Sequence, residues 1–115
     1  MDMTAFAAEN RRRCEAPDGF KHPINGWSLS DWMVATMGEL GEAANVLKKM
    51  NRARDGVTNV GDPPLPELAA SLADELADAF IYLDLLAQAA GVDLAAAVRS
   101  KFDRTSAKIG YREHV

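Results

Sequence analysis

At 115 residues, 48% hydrophobic and 26% charged, the chain has the size and composition of one folded domain, 1–115, which excludes a disordered chain or two full cores. Its formal charge of -4 and pI near 5.1 exclude a protein that grips a nucleic-acid polymer by neutralising many phosphates. A single cysteine, Cys14, excludes an internal disulfide and any multi-cysteine zinc site, and points to the cytoplasm.

Residues 1–14 hold Asp2, Glu9 and the run Arg11, Arg12, Arg13, with no long apolar segment, so they do not read as a signal peptide. No stretch is apolar over the ~20 residues that a membrane span requires. Alanine, leucine, methionine and glutamate dominate, and nothing alternates apolar and polar over a strand length. An all-α fold is the expectation.

The pattern predicts a short helix over 4–14, ended by the turn residues Ala16, Pro17, Asp18 and Gly19, and then a loop carrying Phe20, His22, Pro23 and Trp27. Ser28 to Asp31 supplies cap chemistry for a first long helix over 28–52. Its apolar stripe through Met33, Thr36, Leu40, Ala44 and Leu47 is the expected core face. Asp55, Gly56, Gly61, Asp62, Pro63 and Pro64 punctuate a longer connection, expected to be a mobile surface loop of the kind that serves as a lid.

Pro66 suits the first turn of a second long helix over 66–90, with Gly91 beyond its end. Asp93 caps a last helix over 94–109, closed by Gly110. Residues 1–27 thus form an N-terminal helix and loop, and three main helices follow. Two of these are long and joined so as to lie antiparallel, which makes a helix bundle.

The first long helix carries Glu39 and Glu42, and the second carries Glu75 and Asp78. Carboxylates three residues apart share one side of a helix, where they repel unless a cation joins them. One such pair is ordinary on a solvated helix face. Two pairs on neighbouring helices, the second inside the apolar run from Leu72 to Leu86, match the way bundles build carboxylate metal sites. Oxygen-only ligands suit a hard divalent ion, Mg2+ with Mn2+ as a substitute. A di-iron centre normally asks for Glu-x-x-His on these helices, and neither pair is followed by histidine.

The segment Gly38-Glu39-Leu40-Gly41-Glu42, with Lys48-Lys49, Asp74-Glu75-Leu76-Ala77-Asp78, Ile81-Tyr82-Leu83 and Lys101-Phe102, resembles the MazG-like all-α nucleoside triphosphate pyrophosphohydrolases. That group includes dimeric dUTPases and dCTP pyrophosphatases. The resemblance spans 32–110, and with an Asn-Arg-Arg segment at 10–12, a Gly-Phe-x-His-Pro loop at 19–23 and Trp27 or Trp32 the chain looks especially like the compact actinobacterial and phage members. Gly38 stands where several relatives carry an extra glutamate, and Asp103 and Thr105 stand near the place of a usual asparagine.

The resemblance implies magnesium-dependent cleavage of a (d)NTP to a (d)NMP and pyrophosphate, in nucleotide-pool control. Glu39, Glu42, Glu75 and Asp78 would be metal ligands, with Glu42 and Glu39 as catalytic carboxylates and Glu42 as base. Lys101 and Thr105, on a basic stripe with Lys108, would meet the substrate, as would Tyr82, Lys49 and, at the base, one of Trp27, Trp32 and His22. It also implies a homodimer or homotetramer. Two alternatives stand beside this expectation: a catalytically silent bundle that assembles or sequesters nucleotide, and a phosphoribosyl-ATP pyrophosphohydrolase.

Overall fold

The computed structural model describes residues 1–115 and is an all-α helix bundle without strands. Its helices are α1 (Met3–Glu15), α2 (Leu29–Asp55), α3 (Leu65–Ala89) and α4 (Leu94–Ile109), with a single 3-10 turn at Ile24–Gly26. The ends follow local chemistry. Asp2 accepts the Ala5 N–H at 2.9 Å to cap α1, and Asp93 accepts the Ala96 N–H at 3.1 Å to cap α4. Gly110, at φ +78°, closes α4 in the left-handed conformation that glycine adopts without strain.

α2 runs three residues beyond its expected end at 52, because the first residue able to take the left-handed turn is Gly56, at φ +72°. There the Val57 N–H returns to the Arg52 carbonyl at 2.9 Å. No single helix is long and apolar enough to cross a membrane.

The chain divides into two compact units. The first holds Met1–Leu29 and Asp84–Val115. Within it, Asn10 Nδ2 donates to Asp84 Oδ2 at 2.9 Å, and Gln88 Nε2 donates both to that oxygen and to the Ala7 carbonyl. This joins α1 to the end of α3 through buried polar groups that are hydrogen-bonded rather than orphaned. The turn after α1 is equally determined: a Cβ at Gly19 would lie 2.0 Å from the Arg13 carbonyl oxygen, so only glycine fits. Cys14 Sγ and the His22 N–H then close the loop onto the end of α1, the thiol donating to the His22 carbonyl.

The second unit, Ser30–Leu83, contains nearly all of α2 and most of α3. Trp32 packs against Tyr82 with ring centroids 6.3 Å apart, while Glu39 meets Glu75 and Asp78. Moving forward along α2 therefore means moving backward along α3, and the two long helices are antiparallel. Trp32 and Leu68 are the largest side chains sealed from solvent.

The inward face of α2 is not the expected one. Met33, Leu40, Ala44 and Leu47 are exposed, and of the anticipated stripe only Thr36 is buried. The face turned to the interior runs through Trp32, Thr36, Glu39, Ala43, Val46 and Met50. α2 carries two stripes with the same helical period, offset by one residue. The stripe bearing the large tryptophan, which buries the most apolar surface, is the one placed inside.

Candidate metal centre

Because Trp32, Thr36 and Ala43 point inward, Glu39 is carried inward with them, half-buried rather than solvated. Glu75 is half-buried on α3, and one oxygen each of Glu39, Glu75 and Asp78 lies within 4.8 Å of the others. Glu42 completes the group, its carboxyl close beside that of Glu75. All four acids read from the sequence are thus brought to one place in the second unit. The sequence reading had set them beside the core face, whereas Glu39 lies on it.

The electrostatics follow from this crowding. Burial, with the negative charges of Glu42 and Asp78 added to it, raises the pKa of Glu39 above the ordinary glutamate range. Glu75 is pushed up to about 7, first by its hydrogen bond to Glu42, then by burial and by the charges of Glu42 and Glu39. Two carboxyls in contact can share a proton but cannot both ionise cheaply.

The Oε2 atoms of Glu39 and Glu75 are buried and receive no N–H or hydroxyl from the protein. A buried carboxylate oxygen without a donor is costly. A hard divalent cation removes that cost by taking oxygen ligands at ~2.1 Å, and the three carboxylates offer oxygens within 4.8 Å of one another. The donor set therefore fits magnesium or manganese. It offers neither the nitrogen nor the sulfur that would favour zinc or copper.

The remaining candidates are distributed unevenly. Tyr82 is in the same unit, half-buried against Trp32, one helical turn beyond Asp78. Trp32 is only 1% exposed, so its ring belongs to the core and has no face open to a nucleobase. Lys49 lies at the end of α2 near Asp62, whose pKa its charge helps to lower. His22 and Trp27 belong to the first unit, where their rings meet edge-on at 4.7 Å. Lys101 and Thr105 are exposed on α4 in that unit, along a face that also carries Ala97, Val98 and Phe102.

Two relationships were not legible beforehand. Arg52, near the end of α2, gives its guanidinium to Asp62 through two bonds of 3.0 and 2.8 Å. Asp62 also accepts the Asn59 N–H at 3.0 Å. These bonds hold the Asp62 pKa at about 2 and tie the α2–α3 connection back to the helix it leaves. The second is Asp84, an acid in the same apolar run as Glu75 and Asp78, which is spent on the Asn10 and Gln88 amides and not on the acidic cluster.

Compared with known proteins, the chain matches no family model, no curated protein and no solved structure.

Proposed function

We propose that this chain is a magnesium-dependent nucleoside triphosphate pyrophosphohydrolase of the MazG-like type. The observation that carries the reading is the convergence of Glu39, Glu42, Glu75 and Asp78, from two antiparallel helices, on one partly buried position with orphaned carboxylate oxygens. The resemblance of the same residues to the family's paired motifs supplies the reaction class: water adds across the bond between the α and β phosphates, giving a nucleoside monophosphate and pyrophosphate.

Glu39, Glu75 and Asp78 would hold the ion, with Glu42 at their edge. When bound, magnesium offsets triphosphate charge and makes the phosphorus a better electrophile. The side chains of the protein do the rest. Glu42 is exposed, which suits a carboxylate that takes the proton of the attacking water. Glu39, held on the inward face by its neighbours Thr36 and Ala43, fixes the position of the cluster. Tyr82 stands one turn along the same helix, placed to donate its hydroxyl to a phosphate or sugar oxygen, and Lys49 supplies positive charge at the far end of α2. Lys101, Thr105, His22 and Trp27, the other residues that the resemblance implies as substrate contacts, belong to the first unit.

The test is pyrophosphate release from each (d)NTP in the presence of magnesium. Release from at least one nucleotide is expected, falling about 100-fold or more in Glu42→Ala and in Asp78→Ala. Absence of release across the whole panel, with magnesium shown by calorimetry to bind, would leave the silent, nucleotide-sequestering bundle as the better reading. A panel that includes phosphoribosyl-ATP separates the remaining alternative.

A further inference from the structure

Asp84 is a buried acid that the proposed reaction does not use. Only 4% of it is exposed, yet no guanidinium or ammonium of the chain pairs with it. Its charge is met by the neutral amides of Asn10 and Gln88, and both donate to Oδ2, which leaves Oδ1 without a protein donor. A carboxylate taken out of water with one oxygen unused is costly.

Unlike the orphan oxygens of Glu39 and Glu75, Oδ1 is not sealed in the interior. Asp84 lines a cavity of about 150 Å³ in the first unit, between α1, the end of α3 and the start of α4. A cavity of ~150 Å³ holds a molecule the size of benzene. The polar part of its lining offers acceptors. Gln88 has spent both amide hydrogens, on Asp84 and on the Ala7 carbonyl, so only its own carbonyl oxygen remains. Asp93 adds a second carboxylate and Thr4 a hydroxyl, and no lysine, arginine or histidine lines the space.

We propose that this cavity binds a small primary alkylammonium ion, its charged head on Asp84 Oδ1 and the Gln88 carbonyl oxygen and its chain against Met3, Ala7 and Leu94. An ammonium group carries three donors and no acceptor, the complement of a lining that is negative and rich in acceptors. The two carboxylates turn anions away. Magnesium keeps several waters and asks for an octahedron of oxygens, whereas most of the lining residues here are apolar.

The helix ends agree with a cation. The dipole of α3 is negative at the end that carries Gln88. The positive start of α4 is already met by Asp93, which accepts the Ala96 N–H. Because the cavity belongs to the first unit and the acidic cluster to the second, amine binding stands or falls independently of the reaction proposed above.

Amide NMR of the full chain, titrated with butylammonium chloride at neutral pH, tests it. The Gln88 side-chain amide and the Leu94 and Ala95 N–H signals should shift saturably, with half-saturation on the order of 1 mM, the affinity open to a ligand of this size. Tetramethylammonium chloride has the charge but no N–H, and butanol has the chain but no charge. Both should bind at least ~10-fold more weakly, as should butylammonium to Asp84→Asn. Ala7→Leu fills the cavity with Asp84 intact and should abolish the saturable shifts, which decides the matter if Asp84→Asn does not fold. Shifts that grow linearly with amine, an equal response to tetramethylammonium, butanol or potassium chloride, or undiminished binding by either folded variant each overturns the proposal.

Discussion

The carboxyl of Glu42 on α2 crowds that of Glu75 on α3, and this contact, with burial, pushes the Glu75 pKa up to about 7. Its folded pKa thus lies above the ordinary value of 4.5. A group shifted in this direction contributes stability that is complete below its unfolded pKa and is lost as pH rises through the folded one. In chelator, the thermal midpoint is therefore expected to decline between about pH 4.5 and above 7, and millimolar magnesium should restore it at pH 8. Thermal melts at pH 5, 6, 7 and 8, with and without magnesium, check this; a midpoint that is flat with pH and blind to magnesium contradicts it.

Neutralising the cluster separates the proton from the metal. Glu75→Gln should melt higher than wild type at pH 8 in chelator, because one of the crowded charges is gone. It should also lose most of the magnesium-induced stabilisation, which for wild type at a hundredfold excess over the dissociation constant amounts to ~2.7 kcal/mol. Differential scanning calorimetry of the two proteins in both buffers measures both effects. A Glu75→Gln protein that gains as much from magnesium as wild type removes Glu75 from the ligand set.

Trp32 tests which stripe of α2 faces inward. Trp32→Ala, at a fully buried site beside Tyr82, should cost ~3–5 kcal/mol. Val34→Ala, two residues away and largely exposed, should cost under ~0.5 kcal/mol in a dissociated protein. Urea denaturation at low protein concentration compares them, and similar midpoints for the two variants would mean that α2 is rotated.

The Arg52–Asp62 pair makes the α2–α3 connection sensitive to acid. The Asp62 pKa is depressed to about 2 from 3.8, so its contribution is present above about pH 4 and disappears as pH falls through 2. Arg52→Ala should abolish this dependence and raise amide exchange at Asn59 and Asp62 at neutral pH, where hydrogen-exchange mass spectrometry reads it. Unchanged exchange would show that the loop is held by something other than this pair.

In the first unit, Asp84→Ala removes the shared acceptor of Asn10 and Gln88. Its expected cost is ~1–3 kcal/mol, with no change in magnesium affinity because Asp84 lies outside the acidic cluster. Chemical denaturation and calorimetry together check both halves; altered magnesium affinity would place Asp84 among the ligands.

Much of the secondary structure was legible because helix ends depend on near neighbours. Asp93 and Gly110 specify α4 to the residue, and Pro66 and Gly91 bracket α3 to within one or two. The spacing of Glu39 with Glu42, and of Glu75 with Asp78, was legible for the same reason: three residues along a helix fix a shared side wherever that helix goes. That these pairs meet was an expectation from pattern, since nothing within either helix determines what stands opposite it.

Tertiary structure alone decided the rest. α2 offers two apolar stripes one residue apart, and periodicity gives both the same weight. The choice depends on how much surface each buries against α3, a property of two helices and not of one, and the stripe with Trp32 is the one enclosed. That rotation carries Glu39 onto the inward face, where burial and the facing acids raise its pKa, and leaves Met33, Leu40 and Leu47 outside. Arg52 with Asp62, and Asp84 with Asn10, were settled in the same way, because a charged side chain is committed by whichever partner the folded chain brings within reach.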